Sequence, residues 1–108
     1  MTIEHINNVS VLTKANLYFD GKCVSHSLTL ADGSKKSVGV ILPSTLSFTT
    51  SVPEVMECVA GRCEYRLAAS EAWASSAPGE KFSVPANASF ELRVTPADGA
   101  YHYLCHFG

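Results

Sequence analysis

The feature that most constrains the fold is the stretch LSFTTSVPEVMECVAG at residues 46–61, two runs of alternating side chains joined at a proline and closed by a glycine. Side chains alternate along a β-strand, so every second residue of a run shares a face. The residues that share a face in this way are Leu46, Phe48, Thr50, Glu54, Met56 and Cys58. The stretch therefore predicts two strands with a mostly apolar face, on which Glu54 is the charged group.

Glu54 is a candidate functional residue, because its carboxylate falls among apolar neighbours. If that face lines the inside of a small β-barrel, the loss of water makes the charged form costly unless a partner, a ligand or a proton offsets it. The alternative is a glutamate at the mouth of the barrel that simply reaches water. The pattern alone leaves both interpretations open.

The rest of the chain predicts an all-β protein. Short alternating runs are separated by turn residues, and about nine such strands without a helical period are typical of a sandwich or a barrel. Asp32-Gly33 predicts a tight hairpin, since the glycine supplies the positive φ that such a turn needs. Gly61 predicts another hairpin, with residues 63–67 as its second arm.

Length and charge place the chain among single-domain proteins that do not bind nucleic acid. At 108 residues one domain is expected, with residues 1–14 as an N-terminal extension or edge strand and residues 15–108 as the barrel. The net charge of -2 gives no indication of a nucleic-acid partner. No apolar run reaches membrane-spanning length and no signal-like start is present, so a cytoplasmic protein is predicted. A barrel this small is expected to form a homodimer through edge strands.

The cysteines and histidines give little support for a metal site. The four cysteines contain no C-x-x-C pair, so buried reduced thiols are expected, although Cys58 and Cys63 can face each other across a turn. His26 falls on the apolar face of its run, where a lone histidine is usually a hydrogen-bonded core residue. A metalloenzyme that uses His26, His102 and His106 is disfavoured, because the last two fall opposite the predicted lining.

Two spacings resemble the half-motifs of the cupin superfamily. Glu54 and Gly61 stand in the form E-x6-G, and Gly79 and Pro85 stand in the form G-x5-P. In metal cupins, histidines occupy the positions that correspond here to Phe48, Thr50 and Phe90. The resemblance implies a single-domain, small cupin-type jelly-roll β-barrel that keeps its pocket, and no metal or other cofactor is expected.

A closer resemblance covers residues 15–107. It is carried by ANLYFDGK at 15–22, SVGVILP at 37–43, FTTSVPEVMECVAG at 48–61, FSVPANASFELRV at 82–94 and YLC at 103–105. These runs resemble the small cupin-type pyrimidine/purine nucleoside phosphorylases. The resemblance implies a glycosyltransferase of the pentosyltransferase kind, which uses inorganic phosphate to cleave purine and pyrimidine ribonucleosides to the free base and ribose 1-phosphate. The alternative is a non-catalytic module that binds a metabolite in the same pocket.

Phosphorolysis suggests roles for the residues of the predicted pocket. Glu54, to hold ribose hydroxyls or offset positive charge on the sugar, and Thr50, to donate to ribose or phosphate, are the predicted catalytic residues. The predicted substrate-binding residues are Phe48, Met56, Phe90, Tyr103 and Lys22. Aromatic rings suit stacking on any base, although core filling explains them equally well. Lys22 is the candidate for phosphate, with backbone N–H groups near a turn as the alternative.

Overall fold

A computed structural model describes residues 3–68, 70 and 72–108 of the protein and shows an all-β chain, as the alternation predicts. The strands are β1 (Val9–Val11), β2 (Asn16–Tyr18), β3 (Cys23–Leu30), β4 (Lys35–Ile41), β5 (Ser44–Thr49), β6 (Glu54–Ala60), β7 (Cys63–Leu67), β8 (Ala74–Ser76), β9 (Lys81–Val84), β10 (Ser89–Val94) and β11 (Tyr101–Phe107). Short 3-10 turns occupy Phe19–Gly21 and Pro96–Asp98.

The strands form two antiparallel sheets that pack face to face. Sheet A has the order β1-β3-β4-β11-β6-β9, with β2 also paired to β3, and sheet B has the order β5-β10-β7-β8. Neighbours in each sheet are mostly distant in the chain, because consecutive strands cross between the sheets. This arrangement is the predicted small jelly-roll β-barrel, and its core lies between the sheets.

The hairpin predicted at Asp32-Gly33 is confirmed. β3 pairs with β4, and Thr29 lies opposite Lys35. Gly33 has a φ of 87°, which a residue with a side chain rarely adopts. The Asp32 carboxylate accepts hydrogen bonds from the backbone N–H of Ser34 at 2.9 Å and from its hydroxyl at 2.7 Å, which stabilises the turn.

The hairpin predicted at Gly61 is wrong. β6 belongs to sheet A and β7 to sheet B, so Gly61 is a corner at which the chain passes from one sheet to the other. Cys58 and Cys63, on either side of this corner, are buried free thiols. The alternation of side chains is the same whether consecutive strands pair or face each other, and for this reason the sequence did not separate the two arrangements.

The face of β3 that points into the barrel is its small and polar face. Cys23 and Ser25 are buried between the sheets, at 1% and 4% exposure, whereas Val24 and His26 lie on the outer face of sheet A. The prediction of His26 as a core residue is therefore wrong. Its Nδ1 atom lies 3.0 Å from the carbonyl oxygen of Leu12, so the ring contacts the segment that follows β1.

The N-terminal residues contribute an edge strand, one of the two possibilities predicted for residues 1–14. β1 pairs with β3 over Val9–Val11 at one edge of sheet A. The residues before β1 lie against the outer, apolar face of this sheet, where Ile3 and Ile6 contribute to the lining of a groove with Val38 and Val40. Among the helices of the described residues, none is long and apolar enough to cross a membrane.

Candidate functional site

A cavity of about 200 Å³ lies between the two sheets. Its lining residues come from strands of both sheets and are Tyr18, Cys23, Ser25, Ser37, Ile41, Phe48, Thr49, Glu54, Met56, Phe90, Tyr103, Cys105 and Phe107. Pockets of a few hundred Å³ with a small number of placed polar groups are typical of small-ligand sites. The cavity is therefore the candidate functional site.

The two walls of the cavity differ in chemistry. Sheet A supplies the hydroxyl, thiol and carboxyl groups, carried by Ser25, Ser37, Tyr103, Cys23, Cys105 and Glu54. Sheet B supplies the rings of Phe48 and Phe90 together with Thr49, and Tyr18 and Phe107 of sheet A add aromatic rings. A ligand in this space meets hydrogen-bonding groups on one side and aromatic faces on the other, which suits a molecule with one polar and one flat apolar part.

Glu54 begins β6 and is half-buried in the cavity wall. Burial raises the pKa of its carboxyl group, and the hydrogen bond that the Cys105 thiol donates to it at 3.6 Å opposes this increase only in part. Glu54 is partly desolvated without being buried, so it lies between the two interpretations of the sequence, the barrel interior and the mouth. No lysine, arginine or histidine is among the residues that line the described cavity.

Tyr103 fills the space above a glycine of the neighbouring strand. Gly39 of β4 lies opposite Tyr103 of β11, and a Cβ atom at Gly39 would come within 2.6 Å of the tyrosine ring and hydroxyl. The Tyr103 hydroxyl lies 3.7 Å from the Cys23 thiol. The absence of a side chain at Gly39 thus lets the ring lie flat across the sheet and bring its hydroxyl to the polar wall.

The phenylalanines of sheet B form a stack. Phe48 and Phe90 have ring centroids 5.2 Å apart and an interplanar angle of 20°, and Phe19 meets the ring of Phe48 edge-on at 5.4 Å. Phe90 is buried at 3% exposure, whereas Phe48 is only half-buried. Core filling accounts for Phe90, while Phe48 retains a face that a ligand can contact.

Five of the seven residues predicted for the site line the cavity, and they are Phe48, Glu54, Met56, Phe90 and Tyr103. Thr50 is buried behind the lining, where its hydroxyl donates to the carbonyl oxygen of Pro85 at 2.7 Å and accepts from the N–H of Ala88 at 3.1 Å. Lys22 is exposed at the end of the first 3-10 turn, outside the lining. The roles predicted for all seven residues stay predictions.

The hydroxyl of Thr50 holds the turn between β9 and β10. Replacing Thr50 by valine, which has a similar shape, leaves the Pro85 carbonyl and the Ala88 N–H without this partner, and we expect a loss of about 1–3 kcal/mol in the free energy of unfolding. Urea denaturation measures it, with Thr45→Val on the exposed side of β5 as the control. An unchanged stability with a strongly reduced kcat would instead favour the catalytic role predicted from the sequence.

Sequence reasoning missed the small polar part of the lining, which comprises Ser25, Ser37, Cys23 and Cys105, together with Tyr18 at the rim. The alternation along β3 did separate Ser25 and Ser27 from the apolar residues of the strand. Sequence reasoning assigned the apolar side of β3, rather than the serine side, to the interior. The outer face of sheet A is apolar as well, however, and the N-terminal segment lies over part of it.

A ladder of charged and polar groups crosses the outer face of sheet A. His106 lies between Lys36, whose Nζ atom is 2.6 Å from its Nδ1 atom, and Glu57, whose Oε1 atom is 2.9 Å from its Nε2 atom. Lys81 approaches the same carboxylate at 3.8 Å. Residues 3–68, 70 and 72–108 contain no group of three or more His, Cys, Asp or Glu side chains that could hold a metal ion. The ladder occupies His106 in contacts away from the cavity.

The barrel and its cavity define a small cupin-type protein with room for a small ligand. A sequence model of the family described as "Pyrimidine/purine nucleoside phosphorylase" matches residues 13–107. The chain belongs to the pyrimidine/purine nucleoside phosphorylase family, which confirms the resemblance found in the sequence.

Relatives and solved structures agree with this assignment. A pyrimidine/purine nucleoside phosphorylase of Polaromonas sp. is 68% identical over 108 residues, which is 100% of both chains. A protein of the same name from Albidiferax ferrireducens is 64% identical over 100% of both chains. A crystal structure of a protein of unknown function from an Acinetobacter species matches with a TM-score of 0.91 and 39% identity, covering 96% of this chain and 98% of that chain. The fold is thus shared along nearly the whole chain.

Proposed function

We propose that the protein is a nucleoside phosphorylase that cleaves purine and pyrimidine ribonucleosides with inorganic phosphate to the free base and ribose 1-phosphate. The observation that carries the proposal is the half-buried Glu54 carboxyl group in the wall of a cavity that otherwise offers hydroxyls, thiols and aromatic faces. Membership of the family and the printed names of its relatives support the same reaction.

The reaction makes a bond from a phosphate oxygen to C1′ of the sugar and breaks the bond between C1′ and the base nitrogen. The base leaves with the electron pair of that bond and then takes up a proton. Positive charge grows on the sugar ring as the bond breaks, so a carboxylate close to the ring stabilises the transition state more than the ground state. We assign this role to Glu54, because it is the charged side chain in the described lining.

Phosphate binding has to be achieved without a cationic side chain from the described lining. Backbone N–H groups near a turn can bind an anion. Lys22 remains the proposed cation, since it precedes Cys23 of the lining directly in the chain, although its side chain is exposed.

We further propose that the protein works as a homodimer in the cytoplasm. The apolar outer face of sheet A is only partly covered by the N-terminal segment, and its half-buried residues Val24, Val38 and Val40 support association with a second copy, because apolar surface that meets water is unfavourable. Residues of the N-terminal segment also line the groove on this face. A molar mass of one chain in multi-angle light scattering, measured at the concentrations used for the assays, would contradict the dimer.

The proposed function is tested by incubating the purified protein with uridine, adenosine, guanosine and inosine, with and without phosphate, after treatment with EDTA. We expect release of the free base only where phosphate is present, together with an equal amount of ribose 1-phosphate, both measured by chromatography. Release of base without phosphate would indicate a hydrolase. Recovery of intact nucleoside from every sample would favour the alternative, a non-catalytic metabolite-binding module.

A further inference from the structure

The cavity carries several hydroxyl groups but lacks the side chains that usually read the edges of a nucleobase. Arginine, asparagine and glutamine read bases through paired hydrogen bonds, and none of the three is among the residues that line the described cavity. Hydroxyl and carboxyl groups are present instead, and they match the hydroxyl groups of a sugar, each of which can donate and accept. The chemistry of the lining therefore favours the sugar over the base as the part that enters the cavity.

Ser37 is the clearest of these groups. It lies on β4 at 8% exposure and lines the cavity, and its hydroxyl has no hydrogen-bond partner among the described residues. Ser25 on the neighbouring strand accepts a hydrogen bond from the Asn16 side chain at 3.3 Å, and its hydroxyl also interacts with that of Tyr103, so a ligand bonds to Ser25 in exchange for Tyr103. Both hydroxyls are held on strands within the sheet, which keeps them in place before a ligand binds.

The rim of the cavity has a different character. Tyr18 and Phe107 line the cavity, yet their side chains are 48% and 39% exposed. Exposed aromatic rings at the edge of a polar site offer flat surfaces on which either a purine or a pyrimidine can stack, because every base has a π face. No hydrogen-bonding pattern at the rim is then required to match one particular base.

We infer that Ser25 and Ser37 bind the ribose, which enters the cavity, while the base stays at the rim against Tyr18 and Phe107. This inference rests on the proposed function, and it adds the orientation of the substrate and the residues that recognise its sugar. It also explains physically how one small site accepts both classes of base: the part that purine and pyrimidine nucleosides share meets the polar wall, and the part that differs meets only ring faces.

The inference is tested by the binding of uridine, adenosine and uracil in the absence of phosphate, measured by isothermal titration calorimetry. Replacing Ser37 by alanine is expected to weaken uridine and adenosine binding by the same factor, about 10-fold, which corresponds to one lost hydrogen bond. Uracil binding should not change. Ser25→Ala should have a similar effect, and Ser47→Ala, on the exposed side of β5, serves as the control with unchanged binding.

A second variant tests the rim. Tyr18→Ala is expected to change the ratio of kcat/KM for adenosine to that for uridine, because the two bases differ in stacking area, whereas Ser37→Ala should leave this ratio unchanged. The inference would be overturned if Ser37→Ala weakened the binding of uracil and of uridine equally, or if neither uridine nor adenosine bound to the protein. If nucleosides bind as expected but no base is released with phosphate, the orientation is supported and the proposed phosphorolysis fails.

Discussion

Replacing Glu54 by glutamine is expected to reduce kcat for uridine and adenosine by about 100-fold or more, while KM changes little. Glutamine has nearly the same shape and can still accept a hydrogen bond from Cys105, so the cavity keeps its geometry. It carries no negative charge to offset the positive charge that grows on the sugar. Initial rates of phosphorolysis under saturating phosphate measure the effect for each nucleoside.

The matched control is Glu91→Gln. Glu91 lies on β10, forms an ion pair with Arg66 and is not among the residues that line the cavity. Both variants remove one carboxylate, but only the Glu54 variant removes it from the proposed site. A similar small effect of the two substitutions would rule out Glu54 as the group that stabilises the charged sugar.

The difference in stability between Glu54→Gln and the wild type should depend on pH in a defined direction. Burial raises the pKa of Glu54 in the folded protein above its ordinary value in the unfolded chain, so the folded state binds the proton more tightly. Stability is therefore lost as the pH rises from the unfolded pKa through the folded pKa. The melting temperature of Glu54→Gln relative to the wild type should rise over the same pH interval, and a difference that does not vary with pH would contradict this expectation.

Glu54→Gln is expected to lose activity and to gain stability at higher pH, and both effects have the same physical origin. The partial loss of water makes the charged form of a carboxylate unfavourable for folding, but this carboxylate interacts more strongly with a charge that develops beside it. The sequence pattern identified Glu54 for this reason, since it is the charged residue on an otherwise apolar strand face. The role proposed for Glu54 and the unfavourable burial of its carboxylate therefore have the same origin.

The alternation along β5, β6, β10 and β11 placed five residues on inner faces that do line the cavity, namely Phe48, Glu54, Met56, Phe90 and Tyr103. It failed for β3, where serines face inward and apolar residues face outward. Hydrophobicity separates an inner from an outer face only where the outer face meets water. On sheet A the outer face is itself apolar and partly covered by the N-terminal segment, so the rule selected the wrong side of β3.

The position of Thr50 shows a second limit of the pattern. Alternation placed this side chain on the inner face, and it is buried as predicted. Its hydroxyl, however, bonds to the backbone at Pro85 and Ala88. The partners of a polar group depend on the path of a turn that is distant in sequence, and strand periodicity contains no information about that path.

The corner at Gly61 gives the largest expected effect on stability. Gly61 has a φ of 78°, and a Cβ atom there would overlap the backbone carbonyl oxygen of Ala100. The overlap is with backbone at the start of β11, which is held in the centre of sheet A and has little freedom to move. We expect Gly61→Ala to lower the free energy of unfolding by about 3 kcal/mol or more, the sum of the unfavourable φ and the displaced strand.

Gly33→Ala separates these two contributions. Gly33 also has a positive φ, 87°, but a Cβ atom there would have no neighbour within 4 Å. Its substitution should cost only the unfavourable backbone conformation, about 1–2 kcal/mol. Thermal or urea denaturation of both variants measures the difference, and equal destabilisation would show that β11 accommodates the extra methyl group. A larger loss at Gly61 would show that contact between the corner and β11 limits how the two sheets can be joined, and so how the cavity between them is held.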